Sequence, residues 1–395
     1  MAKHLDVLIV GGGMVGATLA YALGRSTPEL AIGIVEPFQR NDQYHPSFDD
    51  RVIALAAGSV ASLAQLGIWE HGASQGTPIE YIEVTDCGHP GHTSLHGKDH
   101  GQAFLGQVIA SKDYGATLNK KLDAFAQIQW FCPDTIKQIN RSQDQVSVEL
   151  NSGELLTCRL LVAADGGSSA TRDMLHIPVI NEDYQQSALI ANVELDRHHQ
   201  FKAYERFTQS GPLALLPMQG NRMSLVWSLK PEDVAEFEQM TDKAFLQALQ
   251  DKAGYRCGKF NAVSRRVIYP LTLIKAQVSV SHRCVLIGNA SHSIHPIAGQ
   301  GFNLGVRDIV QLHEEILAAI ANNQDIGSYP MLVQYQKKRE ADQISTIQLT
   351  DTLVRVFSND YLPLVLGRNV GLTLLNKLPY LKSKLANRAM GGSAT

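Results

Sequence analysis

The sequence predicts an α/β protein in which a doubly wound parallel sheet is assembled from separated pieces of chain. A mainly antiparallel sheet is inserted between these pieces, and helices follow at the C-terminus. Three observations predict this fold. A strand, a glycine turn, a helix and a second strand follow one another within residues 6–36. Two further short apolar runs end in turns at Asp165-Gly166 and at Gly288, and strand patterns alternate with turns over residues 183–273 between them.

The first unit begins with the β-branched and leucine-rich run from Asp6 to Val10, which suits a buried parallel strand. Gly11-Gly12-Gly13 breaks this run, and residues 14–23 favour a helix. A second apolar run, from Ala31 to Val35, ends at Glu36. This order is that of a βαβ unit, whose helix returns the chain to a neighbouring parallel strand.

The remaining elements follow from the same periodicities. Helical spacing appears at residues 55–66, 107–125, 231–250, 301–321 and from 329 onward. Strand-like runs occupy residues 79–104, 146–156, 160–164 and 285–288. Asn151-Ser152-Gly153 lies within one of these runs and predicts a hairpin turn.

Composition and charge disfavour several classes of function. The chain has 395 residues and a formal net charge of −3, whereas nucleic-acid-binding domains are normally strongly basic. It contains no apolar run of about 18 residues, which a membrane-spanning helix requires. The five cysteines include no C-x-x-C pair, which predicts free thiols rather than disulfides or a zinc site. The short N-terminal apolar run lacks a secretory cleavage site, so we expect a cytoplasmic protein.

The first glycine turn has the spacing of a phosphate-binding loop, Gly11-x-Gly13-x-x-Gly16. Such a loop needs a tight turn, close approach of the backbone to a pyrophosphate, and free N–H groups at a helix N-terminus. Glu36 ends the next strand, where a carboxylate accepts the hydroxyls of an adenosine ribose. An acidic residue there disfavours a 2′-phosphate, so the sequence predicts FAD or NAD rather than NADP.

Two later turns suggest related chemistry. From Ala164 to Arg172, a strand ends in a carboxylate and glycines, with an arginine one turn into the next helix. A solvated loop with an incidental arginine is the alternative for this segment. Further on, Gly299 and Gly301 flank Gln300 at a predicted helix start. Backbone N–H groups clustered in this way suit an electron-rich edge, such as O2/N1 of a reduced flavin.

The three strings, in this order and spacing, resemble the class A flavoprotein monooxygenases, the family of the phenol and hydroxybenzoate hydroxylases. Further strings resemble the ubiquinone-biosynthesis branch of that family, at residues 48–55, 105–108, 204–207, 211–217, 295–301 and 367–369. The similarity covers nearly the whole chain and is greatest to the hydroxylases of 2-polyprenyl-6-methoxyphenol. One departure is Gly288-Asn289 in place of the usual Gly-Asp, where asparagine keeps an acceptor oxygen but loses the charge.

The resemblance implies a Rossmann-like FAD-binding domain of the hydroxybenzoate-hydroxylase (GR2) type. With the element pattern, it divides the chain into three parts. We expect a discontinuous FAD-binding domain, an inserted substrate-binding β-sheet lobe and C-terminal helices, at residues 1–78 with 105–182 and 274–340, at 79–104 with 183–273, and at 341–395.

The resemblance also implies the reaction and its cofactors. In this family NADH or NADPH reduces the bound FAD, O2 reacts with it, and a hydroxyl group is transferred to an activated phenol ring. The cofactor-binding residues that the motifs and the resemblance indicate are Gly11, Gly13, Gly16, Glu36, Arg51, Gln107, Asp165, Gly166, Asn289, Pro296, Gly299, Gln300, Gly301 and Asn303.

Catalytic residues are harder to assign, because the cofactor carries the chemistry and no nucleophile–base triad is needed. The resemblance places the Pro296 region against the flavin, with its backbone as a partner for the phenol. His295 is a candidate general acid or base, with a packing or capping role as the alternative. Arg51 either faces the cofactor or the incoming nicotinamide, or it forms a salt bridge at the surface. Leu216 and Pro217 are candidate substrate contacts.

Two other features carry weaker signals. His89, His92, His96 and His100 lie close together, but the glycines and Pro90 between them prevent a helix, and no cysteine or carboxylate completes a metal-ligand set, so we expect no metal site. From Tyr361 onward, five basic and no acidic residues are interleaved with leucines. Such a helix either packs on the flavin lobe or attaches weakly to an anionic surface, here the inner face of the cytoplasmic membrane.

Several functions remain open on sequence grounds. The leading interpretation is hydroxylation of a polyprenyl phenol, 2-polyprenyl-6-methoxyphenol, to the 1,4-benzoquinol in ubiquinone biosynthesis. A sister hydroxylase of different regiospecificity is one alternative, and an FAD-dependent prenyl-lipid oxidoreductase that does not use O2 is another. A scaffold subunit that retains FAD among other ubiquinone-biosynthesis proteins is the non-enzymatic alternative.

Overall fold

The computed structural model describes residues 2–40, 51–69, 76–295 and 299–357, and beyond them only positions 368, 369, 371, 378, 380, 382, 383, 386, 387, 390 and 391. In this part of the chain three sheets form, and helices cover them. Pro296 and most of the segment after Phe357 lie outside the described residues. No helix within these ranges is long and apolar enough to cross a membrane.

The first sheet is built on the predicted βαβ unit. Its strands are β1 (Lys3–Val10), β2 (Ile32–Val35), β8 (Ile128–Phe131), β9 (Ile136–Arg141), β10 (Val146–Leu150), β11 (Leu155–Ala163), β18 (Val280–Ser281) and β19 (Cys284–Leu286). Strands β19, β11, β1, β2 and β8 run parallel in that order. Because β1 and β11 are in register from Lys3 to Val10, the turns that follow these two strands lie side by side.

A small sheet contains β3 (Val52–Ala56), β4 (Thr77–Ile79) and β7 (Gly106–Ala110). A third sheet forms the inserted lobe, with nine strands among the described residues. They are β5 (Tyr81–Asp86), β6 (His92–His96), β12 (Val179–Leu195), β13 (Lys202–Thr208), β14 (Gly211–Pro217), β15 (Arg222–Leu229), β16 (Phe260–Val263), β17 (Val267–Ala276) and β20 (His292–Ser293). Most of its pairs are antiparallel, as predicted, but β13 and β5 run parallel.

The described α-helices are α1 (Met14–Ser26), α2 (Ala57–Gln65), α3 (Ser111–Leu122), α4 (Ala170–Met174), α5 (Pro231–Gln239), α6 (Asp242–Ala253), α7 (Gln300–Ala321) and α8 (Tyr329–Phe357). The parallel sheet is buried on both faces, since Val7 and Ile9 pack into one core and Leu8 and Val10 into another. The lobe differs. Trp227 and its neighbours pack against α6 on one face, which leaves the opposite face of the lobe sheet to line a cavity.

Local periodicity misplaced three helices. Residues 107–110, predicted as helix, belong to β7, whose backbone pairs with β3 and β4, and residues 55–56 end β3. The helix predicted over 231–250 is two helices, because Thr241 caps a new one by accepting a hydrogen bond from the Ala244 N–H. Tertiary pairing and capping therefore overrode the apolar spacing.

Several predicted domain boundaries fall inside continuous elements. Residues 182–183 lie within β12 and residues 273–274 within β17, because both strands run from the flavin side into the lobe. Residues 340–341 lie within α8. β12, β17 and α8 therefore each cross a predicted domain boundary, and the division of the chain into these domains stays a prediction.

Candidate active site

The first glycine turn is packed as tightly as its spacing predicts. Gly11 has a φ of +101°, and a Cβ there would lie 2.5 Å from the carbonyl oxygen of Ala164. A Cβ on Gly16 would lie 1.9 Å from the carbonyl oxygen of Gly11, so a side chain at position 16 would displace the turn. Gly13 is the N-cap of α1, whose first N–H groups have no partner within the helix. Gly11 and Gly13 line a cavity between the sheets.

Glu36 stands beside this turn, at the end of β2, and is 4% exposed. One carboxylate oxygen accepts a hydrogen bond from the Gly12 N–H at 2.6 Å, and the other accepts one from the Phe38 N–H at 3.2 Å. These bonds hold the carboxylate where it lines the cavity. The position fits the binding of ribose hydroxyls that the sequence predicts.

The second turn follows β11. Asp165 and Gly166 both line the cavity. Asp165 accepts hydrogen bonds from the Ser169 hydroxyl at 2.5 Å and from the Thr171 N–H at 3.0 Å. The carboxylate therefore fixes the start of α4.

Arg172 connects the second turn to the third. Its side chain is buried, and Nη1 donates to the carbonyl oxygens of Gly167 at 2.9 Å and Ala290 at 3.2 Å. The alternative of an incidental, solvated arginine was therefore wrong. Arg172 positions the backbone of two motifs that are far apart in sequence.

The third turn presents Asn289, Gly299, Gln300 and Gly301 to the same cavity. Gly299 is the N-cap of α7, so the N-terminal N–H groups of this long helix begin at the cavity. This arrangement is consistent with the cluster of backbone N–H donors that the sequence predicts at this turn.

Asn303 lies one turn into α7 and is 1% exposed. Its Oδ1 accepts a hydrogen bond from the Ala56 N–H at 2.8 Å, and its Nδ2 donates to the carbonyl oxygens of Ala54 and Gly299 at 2.8 and 2.7 Å. The amide thus joins β3 to the start of α7. Asn303 also lines the cavity, and its direct contact with a cofactor stays a prediction.

Asp308, which sequence reasoning missed, supports the third turn from behind. It is fully buried and accepts hydrogen bonds from the Gly288 N–H (3.0 Å), His292 Nε2 (2.7 Å), Arg339 Nε (2.8 Å) and Gln343 Nε2 (3.0 Å). Burial alone would raise the pKa of this carboxyl, but His292 and Arg339 outweigh burial and hold the pKa well below its usual range. No spacing in the sequence signals a network that joins α7, α8, β20 and the turn at Gly288.

Arg51 and Gln107 come from the small sheet. Arg51 lines the cavity, and its guanidinium lies 5.5 Å from the ring centre of Tyr269. Gln107 lies on β7, and its buried Oε1 has no hydrogen-bond partner among the described residues. A buried amide oxygen of this kind is expected to be satisfied by a ligand or ordered water. Gln107 is not among the residues that line the cavity.

His295 is buried, and its ring packs edge-on against the ring of Tyr184, with 5.3 Å between the two ring centres. Burial lowers the pKa of His295 to about 4, so the imidazole is neutral near neutral pH. It is not among the residues that line the cavity, which favours the packing role. Pro296, the other catalytic candidate, lies outside the described residues.

One face of the lobe sheet closes the cavity, whose volume is about 1140 Å³. Aliphatic and aromatic side chains dominate this wall, among them Ile82, Val84, Leu95, Ala203, Phe207, Ala214, Leu216 and Val226. Of the two candidate substrate contacts, Leu216 lies on the wall and Pro217 does not line it.

Two polar members of the wall were not among the candidate site residues. Arg368 is 7% exposed, and its Nε donates to Asp86 Oδ2 at 2.8 Å. Glu205, in the middle of β13, is the other. Both lie in strings that carried the family resemblance, and for Glu205 the alternation of β13 could have placed it on the cavity face.

Comparison with known proteins identifies the family. Residues 4–348 match the model of the FAD binding domain family. The ubiquinone hydroxylase UbiL of Rhodospirillum rubrum is 34% identical over 390 residues, which cover 98% of this chain and 90% of that protein. The 3-demethoxyubiquinol 3-hydroxylase of Escherichia coli is 30% identical over 392 residues, 98% of each chain. This chain belongs to the FAD-dependent hydroxylases of ubiquinone biosynthesis.

The fold of this hydroxylase is also shared with solved structures. The crystal structure of p-nitrophenol 4-monooxygenase PnpA from Pseudomonas putida DLL-E4 superposes with a TM-score of 0.82 over the whole of both chains, at 15% identity. At that identity the likeness shows the fold alone. The predicted fold class, an FAD-binding domain of the hydroxybenzoate-hydroxylase type with an inserted sheet lobe, is confirmed.

Membership of this family confirms the predictions of FAD as the cofactor and of an aromatic-ring monooxygenase, with NAD(P)H and O2 as the cosubstrates typical of the class. It also disfavours the alternatives of a scaffold and of an oxidoreductase that does not use O2. The residues of this hydroxylase fit the cofactor, since the glycine cradle, the anchored Glu36 and the α7 N-terminus line one cavity.

Proposed function

We propose that the chain hydroxylates the aromatic ring of a polyprenyl phenol, and that the step is the conversion of 2-polyprenyl-6-methoxyphenol to the 1,4-benzoquinol. One observation carries the proposal. A single cavity of about 1140 Å³ is lined on one side by three glycine turns and on the other by an apolar sheet face. This exceeds the range of about 300–1,000 Å³ common for one small ligand and suits a dinucleotide together with a greasy substrate.

The polar side of the cavity suits FAD. The residues that would hold it are Gly11, Gly13, Glu36, Arg51, Asp165, Gly166, Asn289, Gly299, Gln300 and Gly301, all of which line the cavity. Asn303 also lines the cavity and would act both there and by holding the start of α7, whereas Gly16 and Gln107 would act through the packing of the turn and of β7. When bound, FAD supplies the redox chemistry that delivers one oxygen atom of O2 to the ring.

The apolar side suits the ring and its prenyl chain. The wall on β5, β13, β14 and β15 offers mostly aliphatic and aromatic side chains, which bury hydrocarbon and exclude water. The protein's part in the reaction is to hold the ring beside the cofactor and to keep the site dry. A small hydrophilic phenol would gain little from such a wall, which supports a lipid-tailed substrate.

The proposal is tested with purified, FAD-loaded protein. With NADH or NADPH and an ortho-prenyl methoxyphenol, O2 uptake should match the hydroxylated product one for one. In a strain that lacks the protein, a methoxylated polyprenyl phenol should accumulate. O2 uptake without hydroxylated product, by well-folded protein, would argue against the proposal.

A sister reaction is the second candidate, because the similar Escherichia coli protein is named for hydroxylation at a different stage, 3-demethoxyubiquinol 3-hydroxylase. The same deletion strain separates the two. Accumulation of a demethoxylated quinol would assign that step to this chain, and accumulation of the methoxylated phenol would assign the first.

Weak peripheral attachment through the C-terminal segment, which would let the lipid enter, remains a hypothesis, as does presentation of the lipid by other ubiquinone-biosynthesis proteins. Arg368, one of the five bases behind the hypothesis, is buried against Asp86 and is not available to a membrane. Lys377, Lys384 and Arg388 lie outside the described residues. Changing these three to Gln should reduce flotation with anionic vesicles, and unchanged flotation would end the hypothesis.

A further inference from the structure

Glu205 occupies a central position on the apolar wall. It lies in the middle of β13, so alternation places it on the same face as Ala203 and Phe207, and all three line the cavity. In the two neighbouring strands its register partners are Val84 and Ala214, which also line the cavity. The carboxylate is therefore surrounded on the sheet by hydrocarbon.

Hydrophobic clusters bound Glu205 along its own strand. Ala203 packs in a cluster with Ile79 and Val108, on the side of the flavin-binding elements. Phe207 packs in a cluster with Val354 of α8. Glu205 thus lies on the wall between the flavin side of the cavity and α8.

The positively charged neighbour of Glu205 in the sequence, Arg206, does not neutralise the carboxylate. Arg206 is adjacent in sequence but faces the other side of the sheet, where its guanidinium donates to the Ala253 carbonyl and to Cys87 Sγ. Among the cations that line the cavity, Arg368 is engaged by Asp86. Glu205 Oε1 is buried and has no hydrogen-bond partner within the described part of the chain. An unpaired ionisable group in an apolar wall disfavours folding, and such groups concentrate at functional sites.

We propose that Glu205 binds the phenolic hydroxyl of the aromatic substrate and accepts its proton. The phenol O–H bond breaks, the proton passes to a carboxylate oxygen of Glu205, and the electron pair stays on the phenolic oxygen. Delocalisation of that pair raises electron density at the ortho and para ring carbons, which is what an electron-demanding hydroxylation requires. This inference rests on the proposed function, since it assumes a phenol in the cavity.

The acid–base properties of the carboxyl agree with the geometry. Burial raises the pKa of Glu205 from its ordinary 4.5 to about 7, and burial is the only cause of the shift. The residues that face it from β5, β14 and β6 are Val84, Ala214 and Thr93, none of which is charged. A base with a pKa near the working pH is both available as the carboxylate and strong enough to take a proton.

The test compares two ligands that differ only in the proton. An ortho-prenyl methoxyphenol and its methyl ether are titrated into FAD-loaded protein, and binding is followed by the change in the flavin spectrum. At about pH 8, the unaltered chain should prefer the phenol by about tenfold or more, the size of one hydrogen bond to a charged group. At about pH 5 the preference should shrink, because Glu205 is protonated.

Glu205→Gln should abolish the preference at both pH values while leaving the affinity for the ether unchanged, and Glu205→Asp should restore part of it. The matched control is Glu194→Gln on β12, an exposed position of the same sheet. In turnover, kcat/KM of the unaltered chain should rise with pH through about 7, and Glu205→Gln should lack that limb.

The outcomes separate the two proposals. Equal binding of phenol and ether by the unaltered chain, or an undiminished preference in Glu205→Gln, would overturn the role of Glu205 and leave the proposed function standing. Failure of both ligands to bind the unaltered, FAD-loaded chain would count against the proposed function and, with it, this inference.

Discussion

At Gly16 the absence of a single carbon atom decides whether the glycine turn can form. The carbonyl oxygen of Gly11 occupies the space that a Cβ would take, at 1.9 Å. The turn cannot relax on its other side, because Gly11 is itself against the backbone of Ala164. Gly11 and Gly16 are therefore required by packing as well as by the approach of a pyrophosphate.

Gly16→Ala should accordingly remove flavin from the purified protein, as measured by visible absorbance per chain after reconstitution with FAD. The control is Gly153→Ala in the turn between β10 and β11, where φ is +89° and no atom lies within 4 Å of the new Cβ. That variant should lose some stability through backbone strain but keep its flavin. Equal flavin content in the two variants would contradict the assignment of the turn.

A second prediction for a single residue concerns the effect of Glu205 on stability. Because burial raises its pKa from 4.5 to about 7, the folded state binds the proton more tightly than the unfolded chain does. The free energy of unfolding should therefore fall as pH rises through this window. Glu205→Gln should match the unaltered chain at about pH 4 and exceed its stability at about pH 8, by at most about 3 kcal/mol, a ceiling because water in the cavity screens the charge.

Urea denaturation of both forms across this pH range checks the prediction, with Glu194→Gln expected to change little at any pH. A difference between Glu205→Gln and the unaltered chain that stayed constant with pH would mean that the carboxyl does not titrate in this window.

Among the elements, α7 organises the site. Its N-terminus lies at the cavity, Asn303 ties its first turn to β3, and Asp308 in its third turn holds both Gly288 and α8. A single helix thus aligns the third motif with the rest of the flavin side. The C-terminal half of α7 packs into the core of the parallel sheet through Leu312 and Ile316.

Asp308→Asn should destabilise the protein by about 3 kcal/mol, because it removes a buried carboxylate that pairs with both His292 and Arg339 and leaves Arg339 with Asp342 as its remaining carboxylate partner. Since the pKa of Asp308 is depressed, its stabilisation is present at neutral pH and lost only in acid. The loss in Asp308→Asn should therefore be largest near neutrality and shrink in acid. Urea denaturation measures it, with Asp351→Asn on α8 as the control, since Asp351 pairs with the exposed Arg355. A loss no larger than the control's would contradict the role of the network.

On the scale of the whole molecule, a long-range ion pair fixes a cavity-lining residue near the C-terminus to the lobe sheet. Arg368 and Asp86 lie 2.8 Å apart, with side chains 4% and 2% exposed, although 282 residues separate them. Asn369 donates to the same carboxylate at 2.8 Å and accepts from the Gly91 N–H at 2.7 Å. Arg368 and Asn369 are thereby fixed to the lobe.

Arg368→Met should lower the free energy of unfolding by about 3–5 kcal/mol, because the buried Asp86 is left without its guanidinium partner. It should also raise KM for the substrate, since Arg368 lines the cavity. Arg355→Met is the matched control, because its ion pairs with Glu182 and Asp351 are exposed and should matter little. Thermal denaturation and steady-state kinetics of the two variants check this, and similar losses in both would speak against a special role for the buried pair.

The sequence by itself determined the glycine turns, the carboxylate after β2, the inserted lobe and the family. Each of these features lies in short stretches of the chain, and the residue types and their spacing in those stretches are enough to predict the local geometry. It misjudged residues 107–110 and 231–250, where strand pairing and a cap outweighed helical spacing.

Only the tertiary structure decided which distant residues meet. It placed Glu205 on a mainly apolar wall, joined Arg172 to the third motif, buried Asp308 beneath Gly288, and paired Arg368 with Asp86. It also showed that Leu216 lines the cavity and that Pro217 is not among the lining residues. The physical reason is that burial, desolvation and long-range ion pairs depend on the packing of several elements at once, and no local pattern of residues encodes them.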